Sequence, residues 1–274
     1  MPVLSNPVLF STLVSVALLA YWPSVTALWD FWQRDPFVGG HGPLIAVISI
    51  GLLARARDAL AAARLRPSVW GGVALVVLSL AWLIFWRASL PELHMLLLPL
   101  LLFLAVLAAF GAGIARLAAF PLAYLYFAEQ PWDVLVSPLQ VLTIRAVGLI
   151  APLLGMPTTV TGNLLALPHD VTFEVTRYCS GLNFLVVGLA IAALLGELQQ
   201  ASLRERALLL VSMAVVAIVT NWARILVIIA LGYFVGLQQG LVTSGHVLFG
   251  WALFVLVMLG FALLAVRRPA PSRS

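Results

Sequence analysis

Charge is what this sequence lacks most. Only 9% of its 274 residues are Asp, Glu, Lys or Arg, against about a quarter in soluble domains. A chain of this length needs a polar surface to face water, and 63% hydrophobic content leaves too little of one. A soluble globular domain is thereby excluded, and the lipid bilayer is the expected solvent. Lysine is absent altogether, all 15 basic residues being arginine. That removes Ser–Lys peptidase dyads and lysine Schiff-base chemistry. Cysteine is nearly absent too. The single Cys179 has no partner for an intramolecular disulfide, so its thiol is either filling or a reagent. The net charge of +5 then reads as membrane topology, and no nucleic-acid partner is expected. No cleavable leader is expected either. The first apolar stretch, 8–28, is longer than a signal h-region of about 7–15 residues and has no basic n-region before it.

What is present is a series of apolar runs. A helix needs about 20 apolar residues to span the hydrocarbon core. Candidate spans are 8–28, 42–54, 68–86, 93–112, 114–128, 181–197, 207–231 and 246–266, of which 42–54 and 114–128 are short and carry Pro43 and Pro121. Short spans survive when packed inside a bundle. With eight spans and the N-terminus inside, Arg55, Arg57, Arg64, Arg66, Arg116, Arg204, Arg206, Arg267, Arg268 and Arg273 all face the cytoplasm. The opposite loops hold Asp30, Asp35, Glu92, Glu129, Asp133, Asp170 and Glu174. The segment 139–154 is apolar enough for a ninth span. Arg145 stands in its middle, Pro138 and Pro152 bracket it, and a span there would put Arg204 and Arg206 outside, so it reads as an interfacial or re-entrant helix on the outer face. In 171–178 apolar and polar residues nearly alternate, with a Gly162-Asn163 turn before them, which predicts a small β element capping the outer surface. The expected fold is an all-α, polytopic transmembrane helix bundle of eight spans with a small periplasmic cap. One domain, 1–266, is followed by a short basic cytoplasmic tail, 267–274.

Ionisable groups in a membrane are costly and usually functional. Cys179 precedes the 181–197 span, and a thiol at a helix N-terminus feels the positive end of the dipole, which favours thiolate. Taken alone, such a cysteine is more often a small buried residue. Arg224 interrupts the otherwise uncharged 207–231 run. It lies about 26 Å up that helix, near the outer face and the level of Cys179. Asn221 is on the same helix face, three residues earlier. The simpler reading of Arg224 is an arginine snorkelling to the headgroups. His246 opens the last span on the same side, where a lone histidine is commonly a polar cap. One topology nonetheless brings Cys179, Arg224 and His246 to one membrane face, and they are a chemically sufficient set. A thiolate attacks a carbonyl, His serves as base and then acid, and Arg holds thiolate or oxyanion charge. Neither a cofactor nor a metal is expected, since Cys179 with His41, His94 or His169 gives no zinc-type spacing.

These residues resemble the exosortase and archaeosortase family of polytopic, cysteine transpeptidase-like enzymes. The resemblance rests on Cys179-Ser180-Gly181-Leu182, on Asn221-Trp222-Ala223-Arg224, and on His246-Val247-Leu248-Phe249-Gly250-Trp251, with a weaker echo in His41-Gly42-Pro43-Leu44. It implies that Cys179 is the nucleophile, with Arg224 and His246 as partners. It also implies cleavage of C-terminal sorting tags of the PEP-CTERM type on exported proteins, at the periplasmic face of the bacterial inner membrane. Transfer to an exopolysaccharide-linked or lipid-linked acceptor would follow. Asn183 and Gly245 depart from the Arg and Asp that bacterial members often show there, which bears on the tag and subfamily more than on the chemistry. The competing expectation is a non-enzymatic transporter or polysaccharide-assembly factor, against which stands the lack of paired acids inside spans. Convergence of Cys179, Arg224 and His246 discriminates the two.

Overall fold

Helix is the default for an apolar chain, because in lipid each backbone N–H and C=O must be satisfied within its own segment. The computed structural model describes residues 6–34, 39–129, 131–168, 171–235, 250, 252–261 and 263. They fall into two compact units that divide between Pro131 and Trp132. The fold is all-α apart from one small sheet. His246 and the tail 267–274 lie outside the described residues.

The first unit contains α1 (Asn6–Ala20), α2 (Trp22–Arg34), α3 (Gly42–Arg55), α4 (Arg57–Ala62), α5 (Val69–Arg87), α6 (Pro91–Leu96), α7 (Leu98–Phe110) and α8 (Ala112–Tyr124), then a 3-10 turn, Leu125–Ala128. Leu102 and Val106 of α7, Ile114 and Ala118 of α8 and Phe10 of α1 form its core. The expected first span, 8–28, is not one helix. α1 and α2 meet at an 80° bend. Pro23 explains the break, since its ring would clash with the carbonyl four residues back and it has no N–H to offer. Buried polar groups hold the bend in place. Tyr21 and Ser79 hydroxyls are 2.7 Å apart. Ser24 Oγ, wholly buried, donates to the His94 carbonyl at 3.0 Å and accepts from Trp82 Nε1 at 2.7 Å.

In the second unit, α9 (Val136–Leu153) leads into an antiparallel sheet of β1 (Thr159–Thr161), β2 (Leu164–Leu167) and β3 (Val171–Glu174), in that order. Thr161 pairs with Leu164 across Gly162-Asn163, and Gly162 at φ +58° supplies the positive φ that a two-residue type II′ turn needs at its first position. The β element expected at 171–178 is therefore present, with β3 its third strand. Leu165, Leu167 and Val175 pack on Ile144, Val147 and Ala151 of α9. They meet there Ile225 and Ile229 of α11 (Leu203–Val235). Between sheet and α11 runs α10 (Leu182–Leu198). α11 opens with a capping box: Ser202 N donates to Glu205 Oε2 at 2.8 Å, and Glu205 N to Ser202 Oγ at 3.4 Å. α10 and α11 pack closely because Gly188 faces Met213 and Gly196 faces Arg206. A last helix, α12 (Ala252–Phe261), returns along α10.

Among the described residues the apolar helices fall into two length classes. By length and apolarity four stretches can cross a bilayer, Val69–Arg87, Pro91–Phe110, Pro131–Leu153 and Leu203–Phe234, with the bent α1–α2 pair as a fifth. Gly42–Arg55, Ala112–Ala128, Leu182–Leu198 and Ala252–Phe261 are shorter apolar helices. The segment expected to be interfacial is thus among the longest helices. Its prolines do not break it, since Pro138 lies in the first turn, where no intrahelical N–H bond is lost, and Pro152 in the last.

Candidate active site around Cys179

β3 runs out at Glu174 and hands the chain to a single 3-10 turn, Arg177–Cys179, before α10 begins. Cys179 N donates to the Thr176 carbonyl at 2.9 Å, and Ser180 N to the Arg177 carbonyl at 3.1 Å. Gly181 then takes φ +85°, a left-handed conformation suited to glycine, and caps α10. A Cβ here would also stand 2.7 Å from the Asn221 side chain, so glycine is required twice over. The thiol is half-buried, with Thr176 Oγ1 donating to Sγ at 3.8 Å.

Side chains from α9 and α11 hold the turn from behind. Arg224 Nη2 donates to the Tyr178 carbonyl at 3.2 Å. Asn221 Nδ2 donates to the Cys179 carbonyl at 3.0 Å, and Thr143 Oγ1 to the Ser180 carbonyl at 3.4 Å. Gln140 Nε2 takes the Val175 carbonyl at 3.1 Å. In front, both carboxylate oxygens of Asp133 accept from Arg177 Nη2 at 2.7 Å.

Arg224 is the charged centre of this arrangement. It is only 9% exposed, and its head is buried against the turn that carries Cys179, bonded to the carbonyl of the preceding residue. The guanidinium carbon lies 5.1 Å from the centre of the Phe184 ring, a cation–π contact, and Phe184 stacks on Phe254 at 4.6 Å. Gly250 closes the other side, where a Cβ would stand 2.7 Å from Arg224 Cδ. Among the described residues, four buried side-chain atoms lack a hydrogen-bond partner, and three of them, Asn221 Oδ1, Trp222 Nε1 and Arg224 Nε, fall on this one turn of α11. Each unpaired buried group costs about 1–3 kcal/mol. Such a concentration marks a turn built for something other than stability.

Two of the three expected site residues, Cys179 and Arg224, are therefore brought to one turn, Arg224 bonding the carbonyl next to Cys179. His246 lies outside the described residues, and Gly250, four residues further along the sequence, lies against Arg224. A snorkelling Arg224 is not what is found, since its head is buried on the Cys179 turn. His41 belongs to the first unit, where Nε2 donates to the Phe127 carbonyl at 2.8 Å and burial holds the imidazole below its usual range. Sequence reasoning missed Thr143, Gln140, Phe184 and the Asp133–Arg177 pair. The first two are three apart on the mostly apolar α9, a spacing that puts them on one face.

A family model described as transmembrane exosortase (Exosortase_EpsH) matches residues 32–263. No curated protein and no solved structure matches the chain.

Proposed function

The chain belongs to the transmembrane exosortase family, and from that premise we propose that it cleaves C-terminal sorting tags of exported proteins at the periplasmic face of the bacterial inner membrane, with Cys179 as nucleophile. The Cys179 thiolate attacks the scissile carbonyl carbon. The resulting oxyanion is held by the Arg224 guanidinium, and the amine leaves with a proton from His246, giving a thioester. Water, or the hydroxyl or amine of an envelope acceptor, then attacks the thioester, gives its proton to His246 and releases the thiolate. Tags of the PEP-CTERM type and an acceptor linked to exopolysaccharide fit this reading. The observation that carries it is the contact between a buried arginine and the turn that carries a half-buried thiol, drawn from distant parts of the sequence. A conduction path would have no use for a thiol there, so the contact favours an enzyme over a transporter.

Cys179→Ser tests it. The change is nearly isosteric, so the protein is expected to insert at normal levels. Processing of a tagged partner is expected to fall by several orders of magnitude, because an unactivated hydroxyl is a far poorer nucleophile than a thiolate. Normal processing on an immunoblot of the tagged protein would dismiss the cysteine mechanism.

A further inference from the structure

We propose that Asn221 is the positioning residue for the Cys179 thiol, with Thr143 as its support. The proposal rests on Cys179 being the nucleophile and adds what aims it. A side chain's direction follows from the φ and ψ of its residue, and those follow from the two peptide planes on either side. Both planes flanking Cys179 are held by α11. The plane before it is held through the Tyr178 carbonyl by Arg224 at 3.2 Å, and the plane after it through the Cys179 carbonyl by Asn221 at 3.0 Å. With both planes fixed, only χ1 is left to Sγ, and Thr176 Oγ1 at 3.8 Å biases that.

Of the two clamps, Asn221 is the one that brings no charge to the site, so its part is positioning alone. Its geometry is over-determined. Asn221 is 1% exposed, and the bare Cα of Gly181 leaves room for its amide. Nδ2 also points to Thr143 Oγ1 at 3.5 Å, whose own proton goes to the Ser180 carbonyl at 3.4 Å. The donor side of the amide is thus spent on the turn, while Oδ1 is buried with no partner among the described residues. A leucine would fill the same volume with no unpaired acceptor, so what this position needs is the amide donor.

The test separates aim from fold. Asn221→Leu and Asn221→Asp keep the shape and remove the donor. Displacing a reacting group by about 1 Å costs on the order of 10²-fold in rate, so both variants are expected to lower kcat for tag processing about 10- to 100-fold, with KM nearly unchanged. Thr143→Val should lower kcat by a smaller factor, and Thr143→Ser, which keeps the hydroxyl, should retain more activity than Thr143→Val. The rate of Cys179 alkylation by iodoacetamide in detergent-solubilised protein is the readout that needs no substrate, and Asn221→Leu is expected to change it. Wild-type kcat in a folded Asn221→Leu protein, or an unchanged alkylation rate, would overturn the proposal. Should Asn221→Leu fail to accumulate, Thr143→Val takes its place in both assays, and an unchanged kcat and alkylation rate there would overturn it equally. If Cys179→Ser processes normally, the nucleophile reading falls on its own, and the alkylation rate still decides whether Asn221 aims the thiol.

Discussion

At the scale of single residues, Arg224 carries the sharpest distinction, because charge and geometry predict different results. A guanidinium offers a planar fork of fixed donors, whereas a lysine ammonium is a point charge on a flexible stem. Arg224 gives one donor of that fork to the Tyr178 carbonyl at 3.2 Å, while its face lies over Phe184 at 5.1 Å. Lysine has no planar face to stack on the ring while it bonds the carbonyl. Losing one preorganised donor at an oxyanion costs about 3–4 kcal/mol, or 10²–10³ in rate. Arg224→Lys is therefore expected to accumulate with unprocessed substrate, while Arg204→Lys, at the other end of the same helix, should process normally. The ratio of precursor to product at matched enzyme levels decides it, and a wild-type ratio in Arg224→Lys would remove Arg224 from the chemistry. In sequence, Arg224 stood out as a charge in an apolar run, and Asn221 as its neighbour on one helix face. Thr143 did not, because a threonine in an apolar helix is unremarkable until something is seen to need its hydroxyl.

At the scale of elements, α9 is the undecided piece. It is long and apolar enough to cross, yet Arg145 lies on its exposed side among Leu142, Leu149 and Leu153. Among the described residues Arg145 has no ion-pair partner. An arginine at the centre of a bilayer costs roughly 2.5–3.5 kcal/mol on insertion scales, while one at the interface is nearly free. α9 lying along the outer interface avoids that cost, and it leaves Gln140 and Thr143 on the face turned to the Cys179 turn. In a Cys179→Ser background, Val134→Cys and Leu154→Cys, both exposed positions at the two ends of this helix, are expected to react alike with a membrane-impermeant maleimide added to intact spheroplasts. Labelling of only one end would make α9 a span. The parity of arginines downstream would then be reversed.

At the scale of the whole molecule, the two units differ in how they spend buried polarity. Among the described residues, the second concentrates its unpaired groups beside Cys179, whereas the first buries Glu129, 6% exposed with Oε2 unpartnered, just past the Leu125–Ala128 turn. Burial pushes the Glu129 carboxyl well above the usual carboxylate range. With the folded value above the unfolded one of about 4.3, the folded state holds the extra proton in the window between them. Stability therefore falls as pH rises through that window. Glu129→Gln is expected to raise the melting temperature of the solubilised protein near neutral pH, to leave it unchanged near pH 4, and to remove that part of the slope. An identical pH profile in the two proteins would show Glu129 to be solvated.

By itself the sequence determined the solvent, the all-α class, the hairpin at Gly162-Asn163 and the residue types at the Cys179 turn. Each of these follows from local causes: hydrophobic runs, turn chemistry, and charges too costly to bury idly. The break at Pro23 went unread, because apolar residues on both sides ran 8–28 together as one span. Only the tertiary structure decided that Arg224 turns inward to the Cys179 turn, that Asn221 and Thr143 hold the carbonyls around the thiol, and that Asp133 meets Arg177. Those are contacts between residues far apart along the chain. They depend on how closely α9, α10 and α11 can approach, which glycines at 181, 188 and 196 permit and no local pattern encodes.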